Sequence, residues 1–386
     1  MRDAVIVEAV RSPVGKRNGG LSGVHAGDLS SHVLTALAER SGIDPAIVED
    51  VIWGCVSQVG EQTFDIARTA LLGAGWPETV PGTTVDRQCG SSQQAISFAA
   101  ASVIAGHYDV AVAGGVESMS RVPMGASAAG GAHGLPFSDG FRARYNDVFP
   151  NQGIGAEMIV ERWGLTRTEL DEFSLGSHAK AAAAQDEGRF AGQIAAVTAP
   201  DGTKVETDEG VRRGGSLAKL AELQPAFKKD GTGTITAANS SQISDGAAAL
   251  LIMTSEKAAE LGLTPIARIH TAVVTGDDPI IMLTAPIPAT ALALKRSGLK
   301  IEDIGVFEVN EAFAPVPIAW LRETGADPAR LNPNGGAIAI GHPLGGSGAR
   351  IMTTLVHHMR ETGTRYGLQT MCEGGGQANA TILELL

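Results

Sequence analysis

Asp86-Arg87-Gln88-Cys89-Gly90-Ser91-Ser92-Gln93-Gln94-Ala95-Ile96 passes from a polar, glycine-containing turn into an Ala-rich apolar run, and Asp109-Val110-Ala111-Val112-Ala113-Gly114-Gly115 follows it. The first stretch predicts a tight turn feeding a helix over Ser92–Ile104. The second predicts a short strand buried on both faces, because it is apolar throughout instead of alternating with polar residues. Turn, helix and buried strand in that order form a unit of an α/β fold. Working outward, Val5–Val10, Val51–Gly54 and Val306–Val309 read as further strands and Gly348–Met359 as a second helix after a Gly/Ser-rich turn.

The unit recurs near the other end of the chain. Gly42-Ile43-Asp44, the strand Val48–Gly54, the Cys89 turn with its helix and the strand 109–115 have counterparts. These are Gly298-Leu299-Lys300, the strand Ile304–Val309, the Gly341-His342-Pro343 turn with its helix, and Leu368–Cys372 leading into Gly374-Gly375-Gly376. The order is preserved although few residues are identical, which predicts an internal duplication bringing two sets of helix-start residues to one cleft. Between the halves, Arg121–Ala238 has a different texture. It holds a loop-like Gly125–Gly140, an amphipathic helix at Leu170–Glu187 and a polar, charged stretch at Asp201–Arg213. Long insertions of this kind are usually functional covers or assembly elements. The expected division is residues 1–120 with 239–265 as the first half, 121–238 as an inserted loop domain, and 266–386 as the second half.

Bulk composition narrows the function. A chain of 386 residues, 44% hydrophobic and 19% charged, is an ordinary globular enzyme in composition. Its net charge of −12 argues against nucleic acid, which needs a concentrated basic surface. The three cysteines, Cys55, Cys89 and Cys372, form no CxxC pair and have no zinc-ligand spacing, so neither a disulfide framework nor a metal site is expected. No signal-peptide pattern and no apolar stretch long enough to span a membrane is present, so the expected location is cytoplasmic.

Four constellations carry possible chemistry. Cys89 stands just before a helix start, whose unpaired N–H groups favour a thiolate and should lower the thiol pKa; the alternative is a buried structural cysteine. His342 lies in Asn334-Gly335-Gly336-Ala337-Ile338-Ala339-Ile340-Gly341-His342-Pro343-Leu344-Gly345-Gly346-Ser347-Gly348, where so many glycines serving one turn suggest an imidazole being aimed. Such a group can take a thiol proton and return it. Cys372, in Met371-Cys372-Glu373-Gly374-Gly375-Gly376, is either a second reactive thiol, redox or acid–base, or a packed strand cysteine; the glycines after it offer N–H groups to an oxyanion. Asn310 follows an apolar strand where active-site residues tend to emerge and could hold a water, or else cap the next helix. In addition, Asn239-Ser240-Ser241-Gln242-Ile243-Ser244-Asp245-Gly246-Ala247-Ala248-Ala249 reads as small polar residues entering an Ala-rich helix, able to bind a phosphate or pantetheine or simply to cap.

Taken together these motifs resemble the thiolase family over essentially the whole chain. Val7-Glu8-Ala9-Val10-Arg11-Ser12-Pro13-Val14-Gly15-Lys16 looks like the family's opening. Cys89-Gly90-Ser91, Gly114-Gly115-Val116-Glu117-Ser118-Met119-Ser120, Asn310-Glu311-Ala312-Phe313, Gly341-His342-Pro343 and Cys372-Glu373-Gly374-Gly375-Gly376 match its successive signatures in order. The resemblance implies an α/β thiolase fold: two duplicated, five-layered α/β/α/β/α halves with an inserted loop domain. It implies that Cys89 is the acyl-carrying nucleophile, His342 its base and Cys372 the acid–base for the carbon that leaves. It also implies oxyanion sites at His342 with a water held by Asn310, and at the N–H groups of Cys89 and Gly374. A condensing enzyme of the same superfamily would not need Cys372, and a non-catalytic carrier would have lost one of these residues.

For coenzyme A, which the resemblance makes a co-substrate and not a resident cofactor, it points to Arg212, with Arg213, near the nucleotide and Ser241 at the pantetheine. Phe227, Ala312 and Phe313 would line the tunnel. The implied partners are acyl-CoA substrates and a second copy of the chain, as a homodimer or homotetramer. Departures from the pattern bear on specificity. Ser92 stands where a glycine is usual, and Pro150-Asn151-Gln152-Gly153 replaces the His-Met of short-chain biosynthetic enzymes, which favours a bulkier acyl group. Asn151-Gln152 and the Gln93-Gln94 pair look like thiolases of steroid side-chain breakdown. Glu373 and Gln377 also replace smaller or apolar residues, either tuning Cys372 or facing solvent.

Overall fold

The computed structural model describes residues 2–228 and 230–386. One mixed sheet runs through the molecule in the order 306–309, 366–373, 377–385, 267–276, 5–11, 244–253, 110–118, 50–54, 82–85. The duplication is legible in it. From the 82–85 edge inward, strands pair parallel, parallel, antiparallel, antiparallel. From the other edge a bridge between Leu331 and Phe307 is parallel, 306–309 with 366–373 is parallel, and the next two pairings are antiparallel. The two series meet where Val5 and Ile6 pair antiparallel with Arg268 and Ala267.

Side-chain alternation explains the layering. Along 110–118, Val110 and Val112 face a core shared with Leu29, Val33 and Leu37 of the helix Ala26–Ser41. Ala111 and Ala113 face the opposite core, with Ala95, Ala99 and Val103 of the helix Ser91–Ala105 and Met352, Leu355 and Val356 of the helix Ser347–Thr362. The far side of the second series packs on the helices Pro286–Ser297 and Pro315–Thr324 through Phe307, Leu368, Ala289, Ala293 and Trp320. The result is helix, sheet, paired central helices, sheet, helix.

The predicted strands and both central helices form within a few residues of their expected bounds, and the expected helix Leu170–Glu187 forms as Arg167–Asp186, with Glu187 as its C-cap. One expectation fails. The Ala-rich run after Ser241 is not a helix but the strand Ser244–Met253, buried along its whole length. Its alternation decides the matter: Ala249, Leu251 and Met253 face one core, while Ala248, Leu250 and Ile252 face the other. Two-sided burial selects a period of two, and the alanines give room to the central helices; local helix propensity is overridden.

Those helices approach closely at their N-terminal ends. A Cβ at Gly348 would lie 2.3 Å from the backbone nitrogen of Gln93 and 2.8 Å from its Cβ. Gly348→Ala therefore cannot be absorbed by a flexible side chain. It is expected to destabilise the fold by about 3 kcal/mol, seen as a fall in Tm of roughly 3–4 °C by calorimetry. An unchanged Tm would mean that the helices are free to slide apart.

Candidate active site

Cys89 sits in a turn, two residues ahead of the helix Ser91–Ala105. Gln88 before it takes φ 49°, a left-handed conformation that is costly for a residue with a side chain. The turn is tied down by Ser91, whose hydroxyl donates to the Gln88 carbonyl at 2.6 Å and accepts from the Arg87 N–H at 2.9 Å. The N–H groups of Cys89 itself and of Gly374 are directed at the sulfur. The thiol pKa is nevertheless pushed up to about 12, first by burial and then by the carboxyl of Glu373. This corrects the expectation of a thiol lowered by its helix start. The local N–H groups act in the predicted direction, and loss of water outweighs them.

His342 is fully enclosed. Its Nδ1 lies 2.6 Å from the Ser347 hydroxyl, which in turn donates to the Pro343 carbonyl at 2.8 Å. With that hydroxyl proton already used, Nδ1 must carry the ring proton and donate to Ser347, leaving the lone pair on Nε2. The Asn310 amide, 3.4 Å from Nε2, agrees as donor. Burial, and then the Arg350 charge, lower the imidazole pKa to about 3, so the ring is neutral at rest. Asn310 does not cap a helix: the next one begins at Pro315 with Ala314 as its cap. Its buried Oδ1 has no hydrogen-bond partner among the described residues, as expected of an atom that meets a water or ligand.

Cys372 is 1% exposed, packed with Ala312, Phe313 and Met282, and its thiol is raised by burial, then by Cys89, then by Glu373. The two thiols are thus neighbours. All three cysteines are free.

Two adjoining cavities meet here. One of 430 Å³ is lined by Cys89 and Gly374, and by Ser57, Gln58, Asp86 and Gln88. The other, of 190 Å³, is lined by His342, Ser241, Phe227 and Phe313. Met124, Gln152 and Leu344 border both, so Gln152 stands at the junction. Ala312 lies behind the second cavity, its carbonyl accepting from the Ser241 N–H at 2.9 Å. Arg212 is further out, in a small cavity with His178, Leu220 and Gln242. Arg213 is not with it: its guanidinium is held by Asp186 at 2.7 and 2.8 Å.

Several departures now have a physical account. The Ser92 hydroxyl accepts from the Ala349 N–H at 2.8 Å, satisfying one of the free donors at the start of the partner helix. Gln93 is a tie between layers, bonded to Thr381 at 2.9 Å and Gln369 at 3.0 Å, with no place in either cavity. Asn151 caps the helix Gln152–Trp163. Neither Glu373 nor Gln377 simply faces solvent. Glu373 is 0% exposed, and Gln377 accepts from Arg87 at 3.0 Å.

Sequence reasoning missed the residues that aim these groups. The Glu117 carboxylate accepts from the N–H groups of Val56, Ser57 and Gly345 and from Gln62 at 2.8–3.0 Å, joining the Cys89 cavity wall to the His342 turn. Glu311 accepts from Ser177, Asn332 and the Ile338 N–H, fixing the approach to His342. An acid inside an otherwise small or apolar motif was the available signal for both.

A duplicated α/β scaffold that brings a thiol, a neutral imidazole and aligned N–H groups to two joined cavities, with a second thiol buried against their lining residues Met282 and Phe313, defines an acyl-transferring enzyme. Comparison with known proteins agrees. The thiolase N-terminal domain model matches residues 4–256 and the thiolase C-terminal domain model residues 263–385. A steroid 3-ketoacyl-CoA thiolase of Mycobacterium tuberculosis, FadA6, is 50% identical over 391 residues, spanning 100% of this chain and 95% of the relative. The 3-ketoacyl-CoA thiolases of Erwinia tasmaniensis and Aliivibrio fischeri are 45% and 43% identical, over 100% of both chains in each pair. The chain belongs to the thiolase family. It is an acyltransferase that uses coenzyme A as a substrate, and none of its described helices is long and apolar enough to cross a membrane.

Proposed function

We propose that the chain catalyses thiolytic cleavage of a 3-ketoacyl-CoA through an acyl group carried on Cys89, with His342, Cys372, Asn310 and Gly374 as the rest of the machinery. The observation that carries this reading is the hydrogen-bond chain from Pro343 through Ser347 to His342, which leaves Nε2 as the site's available base. Thiol and imidazole are both neutral at rest, so proton transfer from Cys89 to Nε2 accompanies attack of the sulfur on the keto carbon and does not precede it. The alkoxide that forms is met by the N–H groups of Cys89 and Gly374, each such donor being worth about 3 kcal/mol in the barrier. When the bond between C2 and C3 breaks, its electron pair goes to C2 as the enolate of acetyl-CoA, or of propionyl-CoA from a 2-methyl-branched substrate. The Cys372 thiol supplies the proton to that carbon. Protonated His342 and a water held by Asn310 face the thioester oxygen, where the enolate charge collects. His342 passes its proton back to Cys372, and then takes the proton of a second CoA thiol as that sulfur attacks the acyl group and gives it to the departing Cys89 sulfur. Run in reverse, the same groups perform the condensation.

Coenzyme A enters transiently, its pantetheine arm along Ser241, Phe227, Ala312 and Phe313 and its nucleotide toward Arg212. The division into 1–120 with 239–265, 121–238 and 266–386 follows from this reading, with the middle segment as CoA cover and assembly element of a homodimer or homotetramer working in the cytoplasm. The acyl group occupies the 430 Å³ cavity beside Gln152, and its size together with the name of the 50% identical relative supports a bulky, steroid-derived acyl chain. A thiolysis panel of acetoacetyl, medium-chain and steroid-derived 3-ketoacyl-CoA esters, followed by loss of the ketoester–magnesium enolate absorbance, tests this. The larger esters are expected to show kcat/KM at least about ten-fold above acetoacetyl-CoA, the scale of a few buried methylenes. Preference for acetoacetyl-CoA would refute the large-pocket reading, and no thiolysis of any ester would refute the function.

A further inference from the structure

Beneath the Cys89 turn lies a polar cluster that the mechanism above does not use. Glu373, next to Cys372 in the chain, is 0% exposed, and its Oε1 accepts the Asn379 N–H at 3.1 Å. The carboxyl is pressed against the nucleophile's own turn: a Cβ at Gly90 would fall 1.9 Å from Glu373 Oε1 and 2.9 Å from Asn379 Nδ2. That Asn379 amide donates to the Gly90 carbonyl at 3.2 Å. The turn bearing one thiol thus rests on side chains from the strand pair bearing the other.

The cluster is incompletely satisfied. Glu373 Oε2, Arg87 Nε and Asn379 Oδ1 are all buried without a partner among the described residues, while Arg87 gives its Nη1 to Gln377 at 3.0 Å. A buried carboxylate with one unpaired oxygen is far more costly than a neutral carboxyl there. The charged and titratable groups facing Glu373 are Asp86, Arg87 and Cys89 on the nucleophile's loop and Cys372 on its own strand, with Glu117 acting on Cys89 from the strand 110–118. Its other neighbour, Asn379 on the paired strand, is uncharged.

We infer that Glu373 is a positioning residue that sets the ionisation of Cys89: its carboxyl stays neutral while the enzyme works, and its ionisation opposes formation of the thiolate. This rests on the reading of Cys89 as the nucleophile. Burial holds the Glu373 pKa at about 8 with Arg87 partly offsetting, and its charge in turn raises both thiols.

The test is the rate of alkylation of Cys89 by iodoacetamide between pH 6.5 and 10, scored at that residue by mass spectrometry, in the wild type and in Glu373→Gln. The wild-type plot of log rate against pH is expected to flatten above about pH 8, where Glu373 ionises. The neutral isostere should match it near pH 7 but keep rising, exceeding it at least about five-fold at pH 9.5, a modest effect for a charge beside a half-buried thiol. Superimposable profiles, or a loss by the same factor at every pH, would overturn the proposal. Should Glu373→Gln fail to fold, Arg87→Gln serves instead. Removing the compensating cation should move the bend to higher pH, and an unmoved bend refutes the role. Cys89→Ala activity is measured alongside, so that failure of the nucleophile assignment shows separately as retained thiolysis.

Discussion

Cys89→Ala is expected to lower kcat for thiolysis of a 3-ketoacyl-CoA by at least about 10⁴-fold, with the fold intact by circular dichroism. The size of the loss follows from the site's construction. The acyl group has to be held covalently between departure of the enolate and arrival of the second CoA. Among the described residues lining the 430 Å³ cavity, Cys89 is the thiol, and the hydroxyls of Ser57 and Ser127 donate to no carboxylate or imidazole. The N–H groups at the sulfur would remain, so binding should survive and KM should change far less than kcat. A residual rate within ten-fold of the wild type would mean that acyl transfer runs directly between thioesters, and the assignment of the nucleophile would fall.

Much of this was legible in the sequence, because the fold is announced by patterns that are local. Cys89, His342 and Cys372 each sit at a glycine-rich turn joined to a strand or helix, and the repeat of that order gave the duplication. What was hidden depends on contacts between distant residues. The Ala-rich run 244–253 has the composition of a helix, and only its place between two cores makes it a strand. The sign of the Cys89 shift was misread for the same reason: the helix start is visible from sequence, but burial and a carboxyl 284 positions further on are not. Arg213, next to Arg212 in the chain, turns to Asp186, 27 positions earlier, a pairing no local pattern shows. Glu117 acts across 228 positions on the Gly345 N–H, and no spacing rule reaches that far.

Cys372→Ala separates the two halves of the reaction, and its expected result is a split in activity. Moving an acetyl group from acetyl-CoA onto Cys89 and back needs only the Cys89 proton, which passes by His342 to the departing CoA thiolate. Exchange of labelled CoA into acetyl-CoA should therefore continue within about ten-fold of the wild-type rate. Cleavage of the carbon–carbon bond is different, because its leaving group is a carbanion stabilised as an enolate and must be protonated at carbon. Cys372 suits that duty because it is 1% exposed and its thiol is held well above its ordinary pKa by burial. It therefore keeps its proton until a base as strong as an enolate stands beside it. With alanine there, the residues packed around it, Ala312, Phe313, Ile281 and Met282, carry no transferable proton. Thiolysis is expected to fall by about 10³–10⁴-fold, the range of a lost general acid. Equal loss of exchange and cleavage would instead make Cys372 a packing residue behind Cys89, and retained cleavage would require the proton to come from His342.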